Sequence, residues 1–141
     1  RDYLMSVGSC QMHMKDYDAA INTYYKYEFL HGESMQTWRP LSWCLLMQGK
    51  YEQAAVAFRK IMEADPDKDD YLCYGHFCVA QQKFKDAVEA YAKSFRVSTM
   101  SKDDFYKRFD KDLQELTIFG LDKMQLAILS DSLKYKIEEN D

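Results

Sequence analysis

The sequence predicts an all-α protein built from antiparallel helix hairpins. Three observations carry the prediction. Helix breakers are scarce, with five glycines and two prolines in 141 residues, which suits long helices better than a turn-rich sheet protein. Apolar residues recur at helical spacing along most of the chain. A short pattern also returns at a nearly constant interval, the mark of a repeat architecture.

The pattern reads charged, aromatic, polar, variable, alanine. It occurs as Asp16-Tyr17-Asp18-Ala19-Ala20, as Lys50-Tyr51-Glu52-Gln53-Ala54 and as Lys83-Phe84-Lys85-Asp86-Ala87. The closing alanines fall at 20, 54 and 87, so the steps are 34 and 33 residues. Four residues past each alanine stands an aromatic: Tyr24, Phe58 or Tyr91. Upstream, Gly8 and Gly75 share a register with Ser42 between them, and Cys10 and Cys44 share another.

Each repeat reads as two helices. In the second, Trp38, Leu41, Leu45 and Gln48 follow one helix face, and Gly49 ends it. A helix from Gln53 to Met62 follows, with Ala54, Phe58 and Ile61 on a second face. Small residues such as Gly8 and Ala54 let two helices cross closely, and the aromatic four positions on fills the space beside the crossing. Asp65-Pro66-Asp67 interrupts the chain before the next repeat. A single hairpin leaves one apolar face open, and stacking closes it.

The period and its residues resemble the tetratricopeptide repeat. In the second copy Trp38, Leu41, Leu45, Gly49, Tyr51, Ala54, Phe58 and Pro66 fall on the family's signature positions in order, with Ser42 at the small glycine position. The first copy keeps Gly8, Tyr17, Ala20 and Tyr24, with Leu4 for the aromatic and Gly32 for the proline. The third keeps Tyr71, Gly75, Phe84, Ala87 and Tyr91, with Thr99 for the proline. The family's second small position holds Tyr27, Ile61 and Ser94, which implies looser or shifted helix packing there. The resemblance implies a right-handed superhelix of antiparallel hairpins, with repeats at 1–34, 35–67 and 68–100.

Residues 101–141 lack the signature and are expected to form two capping helices. Ser101 begins the first, with Asp104 three residues on and Phe105, Phe109, Leu113 and Leu116 along one face. Gly120 separates it from a last helix capped by Asp122 and carrying Met124, Leu126, Leu129, Leu133 and Ile137. The tail from Glu138 to Asp141 is expected to fray. The first repeat has no such cap: its helix begins at once with Tyr3, Leu4 and Val7. This predicts either that the fragment ends a longer array, or that fraying or self-association through the uncapped N-terminal repeat hides the open face.

Composition narrows the function. The net charge is -4, with cations interleaved among acids, which argues against a nucleic-acid partner. No apolar run approaches the ~20 residues of a membrane span. Cys10, Cys44, Cys73 and Cys78 form no C-x-x-C pair, and Cys73, His76 and Cys78 point to different sides of one helix, so neither a metal nor another cofactor is expected. The same spacing prevents either cysteine from converging with His76 as a nucleophile–base pair, and there is no phosphate loop or H-E-x-x-H motif. The expectation is a non-enzymatic chain with small buried thiols in a reducing cytoplasm.

In the family the first helix of each hairpin lines a concave groove. That register marks Met5, Ser9, Met12 and His13 in the first repeat, Arg39, Trp43, Leu46 and Met47 in the second, and Leu72, His76 and Val79 in the third. The expected partner is a peptide or helix bound by an adaptable methionine- and tryptophan-rich surface. The opposing expectation is that the C-terminal helices fill the groove, leaving a structural spacer or regulatory appendage. A secretion-type chaperone is a further alternative on size and acidity. The carboxylate-gripping subset of the family requires Lys, Asn and Arg at positions occupied here by Met5, Ser9, Pro40, Asp69 and Cys73, so that mode is not expected.

Overall fold

The computed structural model describes residues 2–139. Among them the regular structure is helical throughout: α1 Asp2–His13, α2 Tyr17–His31, α3 Met35–Met47, α4 Tyr51–Glu63, α5 Lys68–Ala80, α6 Phe84–Val97, α7 Lys102–Leu113, a 3-10 segment Gln114–Phe119, and α8 Lys123–Glu139. Consecutive helices pair as hairpins, α1 with α2, α3 with α4 and α5 with α6.

The three hairpin turns share one backbone. The N–H groups of Asp16, Lys50 and Lys83 donate to the carbonyls of Gln11, Leu45 and Cys78, each at 2.9 Å. One residue earlier, Lys15, Gly49 and Gln82 donate to Met12, Leu46 and Val79, and take φ of +62°, +71° and +62°. These bonds satisfy carbonyls that each first helix leaves open at its end. The next residue then begins the second helix at φ near −90° and ψ near +70° in all three copies. The repeat is thus a backbone fact, although only one of its three left-handed residues is glycine.

Helix starts repeat as well. Ser34 accepts from Gln36 N–H, Asp67 from Asp69 and Asp70 N–H, and Ser101 from Asp104 N–H. Those caps lie 33 and 34 residues apart, so α7 begins where a fourth repeat would. Asp122 caps α8 by accepting from Gln125 N–H at 2.8 Å, and its own N–H donates to the Gln125 side chain.

The chain forms two compact units, Arg1–Pro66 and Asp67–Asp141. In the N-terminal unit α2 also packs against α3. Ala20, Ile21, Tyr24, Leu41, Cys44, Leu45, Ala54, Phe58 and Ile61 are buried there. A Cβ on Gly8 would lie 2.8 Å from the Tyr24 ring, so the small residue is needed by its own hairpin's aromatic. Trp38, which its spacing assigns to the packed face, is only half-buried. Its indole N–H reaches Glu33 at 2.9 Å, and the Lys60 ammonium both pairs with Glu33 and lies over the ring.

In the C-terminal unit a Cβ on Gly75 would come within 2.3 Å of the fully buried Tyr91 ring. Phe105, Phe109, Leu113 and Leu116 are buried with Leu72, Val79 and Tyr91 in one cluster. Leu116 lies on the 3-10 segment, because α7 stops at Leu113. The backbone that runs close beside α6 is α8. Helix α7 reaches α6 through rings, Phe109 to Tyr91 at 4.7 Å and Phe105 to Phe95 at 5.3 Å. Two details differ from the sequence reading. Met124 is exposed while Leu126, Leu129, Leu133 and Ile137 are buried, because Met124 falls on the opposite side of α8. Helix α8 also continues through Glu139; Asn140 and Asp141 lie outside the described residues.

Candidate functional site

The candidate residues sit at equivalent places on α1, α3 and α5. Met5, Arg39 and Leu72 form one set, Ser9, Trp43 and His76 a second, and Met12, Leu46 and Val79 a third, at the same 34- and 33-residue steps as the repeat. His13 and Met47 form a fourth pair. The fixed turns keep these positions on matching faces of the first helices.

Burial separates them sharply. Met5, Ser9, Met12, Trp43 and Met47 are half-buried, and His13 and Arg39 are exposed. Leu46, Leu72, His76 and Val79 are buried. In the N-terminal unit, α1 and α3 are neighbours and present mainly methionine and tryptophan side chains in partial contact with solvent. His13 Nδ1 lies 2.7 Å from the Ser9 carbonyl, which orients its ring along α1. Apart from Asp2, neither α1 nor α3 carries a carboxylate.

In the C-terminal unit the same face is occupied from within. Leu72 lies against Phe105 and Phe109, the 3-10 segment packs on α5, and Arg108 of α7 pairs with Asp69 of α5 at 3.0 Å. His76 shares a 2.6 Å hydrogen bond with the Tyr91 hydroxyl. Burial lowers the His76 pKa to about 4 and raises that of Tyr91 well above its ordinary value. Both are therefore neutral near pH 7 and serve as a buried polar pair. Sequence spacing marks His76 as a surface residue; the signal missed there is Phe109, whose ring packs edge-on against Tyr91.

Cys10, expected from the sequence to be a buried thiol, is exposed on α1, while Cys44, Cys73 and Cys78 are poorly suited to reaction. Burial pushes Cys44 and Cys78 up to about 11, and burial with the nearby Asp70, Asp69, Asp112 and Asp67 carboxylates pushes Cys73 up to about 12. A protonated thiol is a weak nucleophile and a weak ligand. Among the described residues no group of three or more His, Cys, Asp or Glu side chains is placed to hold a metal ion. Among the described residues no helix is long and apolar enough to cross a membrane.

The three hairpins with identical turns define a helical-repeat protein. Residues 41–68 match the tetratricopeptide repeat family model, and the paired helices are consistent with an array of that kind. The matched stretch runs from Leu41 on α3 through α4 to the first residue of α5, Lys68. No curated protein matches the chain. Tetratricopeptide repeats generally mediate protein–protein interaction and are typically non-catalytic.

Proposed function

We propose that the chain is a non-enzymatic adaptor that binds a peptide or amphipathic helix along α1 and α3. The observation that carries this reading is the half-exposed Met5, Met12, Trp43 and Met47 on neighbouring first helices. Large apolar side chains held partly in water gain from being covered, and methionines adapt to varied partner shapes. Tryptophan is the residue most able to anchor such a contact. Ser9, His13 and Arg39 supply polar groups at the rim. We place the contact on the N-terminal unit because Leu72, His76 and Val79 are buried, Leu72 against Phe105 and Phe109 of α7 and His76 against Tyr91.

A peptide-display selection on the whole chain tests the reading, with Trp38→Phe leaving Trp43 as the single fluorescent reporter. Selected peptides are expected to shift Trp43 emission and to lose at least about tenfold in affinity on Trp43→Ala or Met47→Glu. Peptides whose affinity ignores both substitutions, in variants with unchanged helicity, would rule it out. The buried Leu46, Leu72, His76 and Val79 favour a second reading, a structural spacer, and an absence of any selected binder supports that one instead. Self-association through the first repeat draws on the exposed Tyr3. The free thiols suit a reducing compartment such as the cytoplasm.

A further inference from the structure

Four positions on α1 differ in exposure from the residues that share their register on α3. Tyr3 is 76% exposed where Thr37 is 0%, and Cys10 is exposed where Cys44 is 0%. Val7 and Gln11 are half-buried where Leu41 and Leu45 are 2% and 1% exposed. Each pair is 34 residues apart, the step of the repeat. Spacings of four, seven and eight residues place Tyr3, Val7, Cys10 and Gln11 on one side of the helix, and Met5, Ser9 and Met12 fall on the opposite side. This face is therefore separate from the one assigned to a peptide partner.

The counterpart on α3 shows what closes such a face. Helix α2 packs on α3. Tyr25 and Glu28 of α2 share a small hollow with Leu41 and Leu45, and the Thr37 hydroxyl donates to the Glu28 carboxylate at 2.6 Å. Helix α1 keeps what this packing uses. Val7 supplies an apolar centre, Cys10 repeats the small Cys44, and Tyr3 carries a hydroxyl as Thr37 does. The Gln11 side-chain oxygen already accepts from the Thr23 hydroxyl at 2.6 Å, so covering it strands no acceptor. The α1–α2 turn has the same hydrogen bonds as the α3–α4 turn, so both hairpins present the face alike. We propose that this face of α1 receives a further helix hairpin of the same repeat type, whose second helix lies on α1 as α2 lies on α3 and brings a carboxylate to the Tyr3 hydroxyl. A second copy bound there, the self-association through the first repeat considered above, is the competing occupant.

Cys10 reports on the contact, because it is exposed while Cys44 and Cys78 are buried. The test adds a second copy of residues 1–34, carrying Cys10→Ser, ahead of residue 1 of the intact chain. Site-resolved alkylation with iodoacetamide then follows the original Cys10. The added hairpin is expected to gain helical circular dichroism and to slow that alkylation by about tenfold or more. Tyr3→Glu in the original hairpin sets one carboxylate against another and should return the fast rate. Tyr3 is mostly in water, so the substitution leaves the hairpin's own fold intact; Val7→Asp reads the same contact from its centre. An unchanged Cys10 rate overturns the proposal, whether the added hairpin folds elsewhere or stays unfolded. So does protection that survives both substitutions. A wild-type chain whose Cys10 becomes protected as its concentration rises, with exposure restored by Tyr3→Glu, also overturns it and gives the face to a second copy.

Discussion

At Lys15 and Gln82 the backbone holds φ of +62°, a left-handed conformation that costs a side-chain-bearing residue on the order of 1 kcal/mol. Glycine fills the same place in the second hairpin, at Gly49. Lys15→Gly and Gln82→Gly are each expected to stabilise the protein by about 0.5–1 kcal/mol, read as a rise in the urea midpoint with unchanged slope. His76 carries a different prediction. Burial lowers its folded pKa from the ordinary 6.5 to about 4. Between those values the unfolded chain binds a proton that the folded chain refuses, so stability is complete above 6.5 and falls as the pH drops towards 4. The loss is about 3 kcal/mol across that window. Unfolding midpoints measured from pH 7 to pH 4 should fall more steeply for the wild type than for His76→Gln.

At the scale of elements, the question is what turns three hairpins with one backbone into surfaces with different fates. Helix α7 starts in the repeat's register under Ser101, yet it holds its neighbours through Phe105 and Phe109 while α8 takes the place beside α6. The α5 face is closed by that substitution. Phe109→Ala would leave a void against Tyr91 and is expected to cost about 3–5 kcal/mol. Lower protection of the Tyr91 and His76 region should accompany it, seen as faster amide exchange in α5 and α6. Ser101 and Asp122 were legible as helix caps and make the bonds their residue types favour, and Ser34 and Asp67 cap α3 and α5 in the same way.

For the whole molecule, the two compact units predict two levels of hydrogen exchange. Amides of α1 to α4 are expected to open together, and those of α5 to α8 together, with the change falling near Pro66 and Asp67. Native-state exchange in low denaturant measures this directly, and a single shared opening energy would contradict it. Phe109→Ala should lower protection across α5 to α8 and leave the α1 to α4 amides near their wild-type values.

The fold class was readable because it rests on local facts. The spacing of Ala20, Ala54 and Ala87, the aromatics four residues on, and the capping residues all act within a turn or two of helix, where chain neighbours set the geometry. The left-handed turns at Lys15 and Gln82 escaped notice because neither residue type announces that conformation; hydrogen bonds to the preceding helix impose it. Burial of the candidate face was not readable at all. Met5, Arg39 and Leu72 share one register, yet only Leu72 is closed over, because Phe105 and Phe109 lie more than thirty positions further along the chain. The sequence by itself determined the hairpins, their period and their ends. Only the tertiary structure decided which apolar faces stay open, since that depends on where distant side chains come to rest.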